Sequence, residues 1–143
     1  MSGAEPCRGQ CMCGAVRLTM PEPTNGYRAC ACDMCRRLTG SQFYSLWTAW
    51  STVGIEGAEH VRNFPSSDWA ERGFCGTCGS VLWYRPTDGR DAVGLSLGLF
   101  EIDTAINFAE QFYADKPICT LVRGLPATSM TEAETEAHFG AGT

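Results

Sequence analysis

Cysteine is the residue type with the most chemistry to offer in this chain, because seven of its nine cysteines fall into three close groups. Sulfurs only two or three positions apart are poorly placed to form a disulfide with each other and well placed to share one metal ion. Thiolates are also ligands that zinc prefers in proteins. The groups are Cys11 and Cys13, then Cys30, Cys32 and Cys35, then Cys75 and Cys78.

The first and third groups together predict one closed zinc site. Two cysteines separated by one residue on extended backbone project to the same side, which favours a shared ion at Cys11 and Cys13. Cys75 and Cys78 flank a Gly-Thr turn, which is typical of a zinc knuckle. Each pair supplies half of a tetrahedron. We therefore expect a four-thiolate structural zinc site that contributes directly to folding.

The middle group supplies only three thiolates: Cys30, Cys32 and Cys35. Three protein ligands leave one tetrahedral position for water or a substrate atom, which is the arrangement of catalytic zinc sites. Two alternatives remain open at this point. Cys7 or Cys119 could complete the group as a second structural site, or the cysteines could hold an iron–sulfur cluster.

Charge and hydropathy exclude several classes of function. The chain has 143 residues, a net charge of −5 and a sequence pI near 4.9. Its longest basic tract is the pair Arg36-Arg37, so we expect no binding to nucleic acid. No apolar run approaches the roughly 20 residues of a membrane helix, and residues 1–6 lack the features of a signal peptide. We expect a cytoplasmic protein with reduced thiols and no membrane contact.

The elements that must position the cysteines are predicted to be mainly β-strands. Short apolar runs alternate with period two, for example at 16–20 and 60–64, and glycine and proline separate them. The continuous apolar run at 80–84 predicts a more buried strand. Short helices are expected at 33–38, near 103–108 and at 131–139. The length suits one domain over 1–143, with a core of about 8–126 and a C-terminal tail at 127–143.

Three motifs follow one another along the chain: Cys11-Met12-Cys13-Gly14, Cys30-Ala31-Cys32-Asp33-Met34-Cys35 and Arg72-Gly73-Phe74-Cys75-Gly76-Thr77-Cys78-Gly79. In this order and spacing they resemble the glutathione-dependent formaldehyde-activating enzyme (GFA/CENP-V) family. The resemblance implies an Mss4-like (β-tent) fold with two zinc ions. It also implies that Cys11, Cys13, Cys75 and Cys78 hold the structural zinc, and that Cys30, Cys32 and Cys35 hold the catalytic one.

The activity implied by the resemblance is a carbon–sulfur lyase reaction. The family joins glutathione and formaldehyde into S-hydroxymethylglutathione, so a small thiol and a small aldehyde are the expected partners. Zinc is expected to hold the thiolate or to polarise the carbonyl. Arg36 and Arg37 are candidates to attract a substrate carboxylate, or are solvated helix charges. Phe43, Trp47 and Trp50 are candidates to wall a pocket, or are core residues.

Two non-catalytic hypotheses compete with the enzyme. One is an Mss4-like protein-interaction or scaffold domain that binds zinc only for structure. The other is a redox or metal-buffering role with a labile zinc at the three-cysteine group. The fourth ligand position separates them, because a position filled by Cys119 favours a scaffold. A homodimer is a further expectation, since small domains with many strand edges often pair.

Overall fold

The computed structural model describes residues 4–23, 25–102, 105–121, 126 and 128–140. In these residues the strands are Cys7–Gln10 (β1), Arg17–Met20 (β2), Tyr27–Cys30 (β3), Phe43–Thr48 (β4), Gly54–Glu56 (β5), Val61–Ser67 (β6), Ala70–Cys75 (β7), Val81–Pro86 (β8), Val93–Ser96 (β9) and Phe108–Phe112 (β10). The α-helices are Asp33–Thr39 (α1), Pro117–Leu121 (α2) and Glu132–Phe139 (α3). Short 3₁₀ turns occupy Trp50–Thr52, Ala58–His60 and Leu97–Leu99.

The strands form two sheets. The smaller sheet has the order β1-β2-β5, and the larger has the order β10-β3-β4-β9-β8-β7-β6. All neighbouring strands are antiparallel except β10 and β3, which are parallel. The prediction of a mainly β fold with few short helices is therefore confirmed.

One hydrophobic cluster joins the two sheets. Leu18 and Met20 of the smaller sheet and Leu46, Leu82 and Leu95 of the larger one are at most 1% exposed and belong to the same cluster. Burying each such side chain stabilises the fold by roughly 1.5–3 kcal/mol. The buried sulfurs of two cysteines, at positions 11 and 75, lie in this cluster as well.

The opposite face of the larger sheet carries a row of polar and aromatic side chains. Directly paired residues of neighbouring strands project to the same side of a sheet, and so do residues two apart on one strand. The observed pairs Cys30–Phe43, Arg28–Ser45, Trp47–Gly94, Tyr84–Gly94 and Arg72–Tyr84 therefore share one face. This face lies next to α1, which follows β3 directly.

Two of the predicted helices are confirmed and one is wrong. Helix α1 is capped at its C-terminus by Gly40, which adopts a left-handed conformation with φ of 78° and donates its N–H to the Arg36 carbonyl. Helix α3 begins with a capping box between Thr131 and Glu134. The helix expected near 103–108 is not found. Residues 103 and 104 lie outside the described residues, and Phe108 opens β10.

No helix in the described part of the chain is long and apolar enough to cross a membrane. The division into a domain core at 8–126 and a tail at 127–143 stays a prediction.

Candidate functional site

Four cysteine sulfurs meet where the turn after β1 contacts the turn after β7. The sulfurs of Cys11, Cys13, Cys75 and Cys78 all lie within 4.8 Å of one another. The sulfur of Cys13 is 3.6 Å from that of Cys11 and 3.9 Å from that of Cys75. A tetrahedral zinc site with Zn–S bonds of about 2.3 Å has sulfur–sulfur edges of about 3.8 Å. The donor set and its spacing therefore fit zinc.

Tight turns, not extended strands, bring these sulfurs together. After β1 the chain turns so that the Gly14 N–H donates to the Cys11 carbonyl at 3.0 Å, with φ of 77° at Gly14. The expectation of extended backbone between Cys11 and Cys13 is therefore wrong, although the two sulfurs converge. Ser80 connects this turn to the other, since its hydroxyl accepts from the Met12 N–H at 3.0 Å and lies 3.2 Å from the Cys78 sulfur.

The other three grouped cysteines come from the end of β3 and the start of α1. Cys30 is the last residue of β3, and Cys32 caps α1, with its sulfur accepting from the Cys35 N–H at 3.4 Å. Cys35 is buried one turn into the helix. The sulfurs of these three cysteines lie within 4.8 Å of one another. The local fold of one short segment therefore assembles the whole group.

The group offers three potential metal ligands and not four. Among the described residues, no further cysteine, histidine, aspartate or glutamate joins it at this distance. Cys119 is buried in α2, and its thiol points to the Tyr113 carbonyl at 3.6 Å. Cys7 lies on β1 in the smaller sheet. Neither candidate for a fourth cysteine ligand belongs to the group.

Arg72 of β7 contacts the three-cysteine group directly. Its side chain is buried, and one guanidinium nitrogen, Nη1, donates to the Cys35 sulfur at 3.4 Å. The hydrogen bond with Cys30, together with the hydrogen bond and charge of Arg72, lowers the pKa of Cys35 to about 5, although burial acts in the opposite direction. The same hydrogen bond with Cys35, with burial, raises the pKa of Cys30. The group therefore favours a thiolate at Cys35.

A cavity of about 270 Å³ opens beside this group on the outer face of the larger sheet. Its wall contains the three cysteines and three arginines, and no aspartate or glutamate among the described residues. The remaining lining is mostly aromatic and apolar: Met34, Phe43, Trp47, Trp69, Tyr84, Phe112 and Tyr113. A small cavity with cationic and aromatic walls beside a cluster of nucleophiles is the usual form of a small-molecule site.

Two larger hollows lie elsewhere and contain no cysteine. One, of about 640 Å³, lies against β1, β2 and β5, and the other, of about 470 Å³, lies beside residues 19–22. Size alone therefore does not locate the site. We assign the candidate active site to the smaller cavity because, of these three cavities, it is the one that a cysteine group lines.

Some of the predicted pocket residues line this cavity and others do not. Phe43 and Trp47 line it. Trp50 does not, and instead packs edge-on against Trp83 with ring centroids 5.3 Å apart. Arg36 and Arg37 are exposed on α1 and lie outside the lining, so they match the alternative of solvated helix charges.

The arginines that do line the cavity were missed from the sequence. They are Arg28, Arg72 and Arg90, from β3, β7 and the segment after β8. Strand pairing brings Arg28 and Arg72 to one face of the larger sheet, and Arg90 reaches the cavity from the segment between β8 and β9. The one available signal was the position of Arg72, three residues before Cys75 in the third motif.

A family model described as "glutathione-dependent formaldehyde-activating enzyme" matches residues 6–116 of the chain. The chain belongs to this family. The GFA match includes all seven grouped cysteines and the residues that line the cavity, and it ends before Cys119. The family assignment made from the three motifs is therefore confirmed.

Individual relatives agree with the GFA assignment. An uncharacterized lyase of Schizosaccharomyces pombe is 30% identical over 112 residues, covering 78% of this chain and 81% of that protein. A Halomonas elongata protein with the provisional name glutathione-dependent formaldehyde-activating enzyme is 32% identical over 83 residues, covering 52% of this chain and 53% of that protein.

A solved structure also supports the fold. The crystal structure of a Rhodobacter sphaeroides protein superimposes with a TM-score of 0.58 at 24% identity, covering 73% of this chain and 98% of that one. At this identity the similarity concerns the fold alone.

Proposed function

We propose that this chain is a zinc-dependent carbon–sulfur lyase that acts on the adduct of a thiol and a small aldehyde, of the S-hydroxymethylglutathione type. The reaction takes place at Cys30, Cys32 and Cys35. One observation carries the proposal: three sulfurs within 4.8 Å of one another face a cavity, and no fourth protein ligand joins them among the described residues.

The donor set supports zinc at both cysteine groups. Four thiolates form a closed site, whereas three leave one position for a substrate atom. Zinc bound at the three-cysteine group would lower the pKa of a substrate thiol that occupies the open ligand position, so that the thiolate is available at neutral pH. The protein's part is to hold three sulfurs in place and to keep the surroundings dry.

The cavity wall supports a thiol that carries carboxylates, such as glutathione. Arg28 and Arg90 form ion pairs with Glu110 and Asp88 at 2.9 Å, but neither acid lines the cavity. The wall is therefore cationic, and it can bind carboxylates by charge-assisted hydrogen bonds. The aromatic side chains beside them exclude water from the reacting atoms.

The bond changes of the reaction are simple. In the synthetic direction the thiolate sulfur attacks the aldehyde carbon, the sulfur–carbon bond forms, and the carbonyl electron pair moves to oxygen, which takes a proton from water. In the other direction the same bond breaks and the thiol and aldehyde are released. Neither His60 nor His138 lines the cavity, so no histidine is assigned as a general base.

Exchange spectroscopy by proton NMR tests this function. Glutathione and formaldehyde also form the adduct without a catalyst, so the protein should raise the exchange rate between free and adducted glutathione above the rate measured in its absence. Cys35→Ser should return the rate to the uncatalysed value, and Cys7→Ser is the matched control that keeps the wild-type rate. A wild-type protein that contains zinc at both groups and leaves the exchange rate unchanged contradicts the proposed function.

One observation favours a second candidate, a protein-interaction domain. Trp69 and Tyr113 at the mouth of the cavity are 54% and 57% exposed. Exposed aromatic groups of this kind are common where proteins bind each other. This candidate gains support if the exchange rate is unaffected while the fold and both zinc ions are retained.

A further inference from the structure

Arg72 is a buried cation without a carboxylate partner. Its side chain is 4% exposed, and no aspartate or glutamate among the described residues lies within ion-pair distance of it. The neighbouring Arg85, by contrast, pairs with Glu71 at 2.7 Å. A buried charge without a counter-charge is strongly unfavourable. Arg72 therefore needs an anion, and the candidates are the groups it contacts.

Three contacts fix the Arg72 guanidinium. Nε donates to the Ser66 hydroxyl at 3.3 Å, Nη1 donates to the Cys35 sulfur at 3.4 Å, and the group lies over the Tyr84 ring, 4.8 Å from its centroid. Ser66 and Tyr84 are uncharged acceptors of this cation. The cysteine sulfur is the only one of the three contacts that can carry a full negative charge.

The charges of the site balance when Arg72 is included. Three thiolates and one Zn²⁺ carry a net charge of −1, and the guanidinium cancels it. Without Arg72, an incoming substrate thiolate would join a centre that is already anionic. With Arg72, it joins a neutral one, in a cavity where charges are poorly screened.

We propose that Arg72 is the positioning residue of the three-cysteine site: it holds the Cys35 sulfur in place and neutralises the centre so that an anionic sulfur can bind. This inference rests on the proposed function, because it assigns Arg72 a role at the same zinc site. Hydrogen bonds from outer groups to metal ligands typically alter metal affinity by 10- to 100-fold or so when removed.

The chain offers a matched control for this residue. Arg85 lies on the adjacent strand, over Trp50 at 4.8 Å, and it does not line the cavity. Zinc affinity is measured by competition with a chromophoric chelator on the zinc-loaded chain. Arg72→Gln should lower the binding affinity for one of the two zinc ions by about 10- to 100-fold and leave the affinity for the other unchanged. Arg85→Gln should leave both unchanged, and Arg72→Lys should recover part of the loss.

Glutathione binding gives a second readout. By titration calorimetry at saturating zinc, glutathione should bind Arg72→Gln at least several-fold more weakly than wild type. If the glutamine variant does not fold, Ser66→Ala replaces it. This change keeps the guanidinium and removes the hydrogen bond at Nε, together with the bond that the Ser66 hydroxyl donates to the Ala70 carbonyl at 3.4 Å. Ser66→Ala should lower the binding affinity for the same zinc ion by a smaller factor.

The outcomes separate this inference from the proposed function. The role of Arg72 is overturned if the folded glutamine variant binds both zinc ions with wild-type affinity. The same holds for Ser66→Ala when that variant is used instead. This result does not contradict the proposed function. A wild-type chain that binds a single zinc ion contradicts both. In a third outcome, wild type binds two zinc ions and Arg72→Gln shows the expected loss of zinc affinity, but wild type does not raise the exchange rate. This result supports the role of Arg72 and contradicts the lyase.

Discussion

The sulfur of Cys13 lies 3.9 Å from the sulfur of Cys75, although 62 positions separate the two residues in the sequence. Cys13 follows the first strand of the smaller sheet, and Cys75 ends a strand of the larger one. A metal ion bound here would fasten the two sheets to each other at one edge of the core. The three-cysteine group has no such role, because β3 and α1 are adjacent in the chain.

This difference predicts unequal effects on stability. Cys75→Ser should lower the melting temperature far more than Cys35→Ser, because it removes a ligand of the ion that joins the sheets. Structural zinc contributes on the order of 10 kcal/mol in zinc-finger peptides. Thermal unfolding followed by circular dichroism, with and without a chelator, measures the effect. Equal losses in the two variants would contradict a structural role that is confined to the four-cysteine group.

Cys119 should be dispensable for metal binding. Its thiol is buried and contacts the Tyr113 carbonyl, not the cysteine group. Cys119→Ala should therefore keep the wild-type zinc content, with a loss of stability of about 1 kcal/mol from the missing buried sulfur. Zinc content is measured on the purified variant beside Cys35→Ser. Loss of a zinc ion from Cys119→Ala would show that this sulfur is a ligand.

The close approach of β7 and β8 makes Gly73 a sensitive position. A Cβ at Gly73 would overlap the indole ring of Trp83, whereas a Cβ at Gly98 has no neighbour within 4 Å. Gly73→Ala should lower the free energy of unfolding by about 1–3 kcal/mol, the usual cost of overpacking. Gly98→Ala is the control and should change the free energy of unfolding little. Urea denaturation compares the two, and equal stabilities would disprove the packing argument.

The grouping of the cysteines could be predicted from the sequence, but their surroundings could not. The number and spacing of the cysteines are local properties, so their division into groups of four and three was visible. Strand β7 was missed because its residues do not alternate: Arg72 faces the cavity and Gly73 faces Trp83, and both are buried. The arginines of the cavity come from distant segments: strand pairing joins Arg28 and Arg72, and the segment after β8 adds Arg90.

Acid should remove one specific contact, between Ser51 and Asp91. The Ser51 hydroxyl and N–H donate to Asp91 at 2.6 and 2.8 Å, and these hydrogen bonds lower the pKa of Asp91. A lowered folded-state pKa means that the contact stabilises the fold above the unfolded pKa of about 3.9 and is lost as pH falls through the folded value.

The difference in melting temperature between wild type and Asp91→Asn should therefore be constant near neutral pH. It should shrink as pH falls below about 4, because the unfolded wild-type chain then takes up a proton at this carboxyl before the folded one does. A melting series from neutral to acidic pH measures it. A difference in melting temperature that grows as the pH falls would contradict a lowered folded-state pKa at Asp91.

The central claim is that Cys30, Cys32 and Cys35 hold a zinc ion of their own at an open site. Elemental mass spectrometry of zinc per chain, on wild type and Cys35→Ser purified without chelator, tests it most directly. We predict two zinc ions in wild type and one in the variant, with the same circular dichroism spectrum. One zinc ion in both proteins would mean that the three-cysteine group binds no zinc, and it would contradict the account.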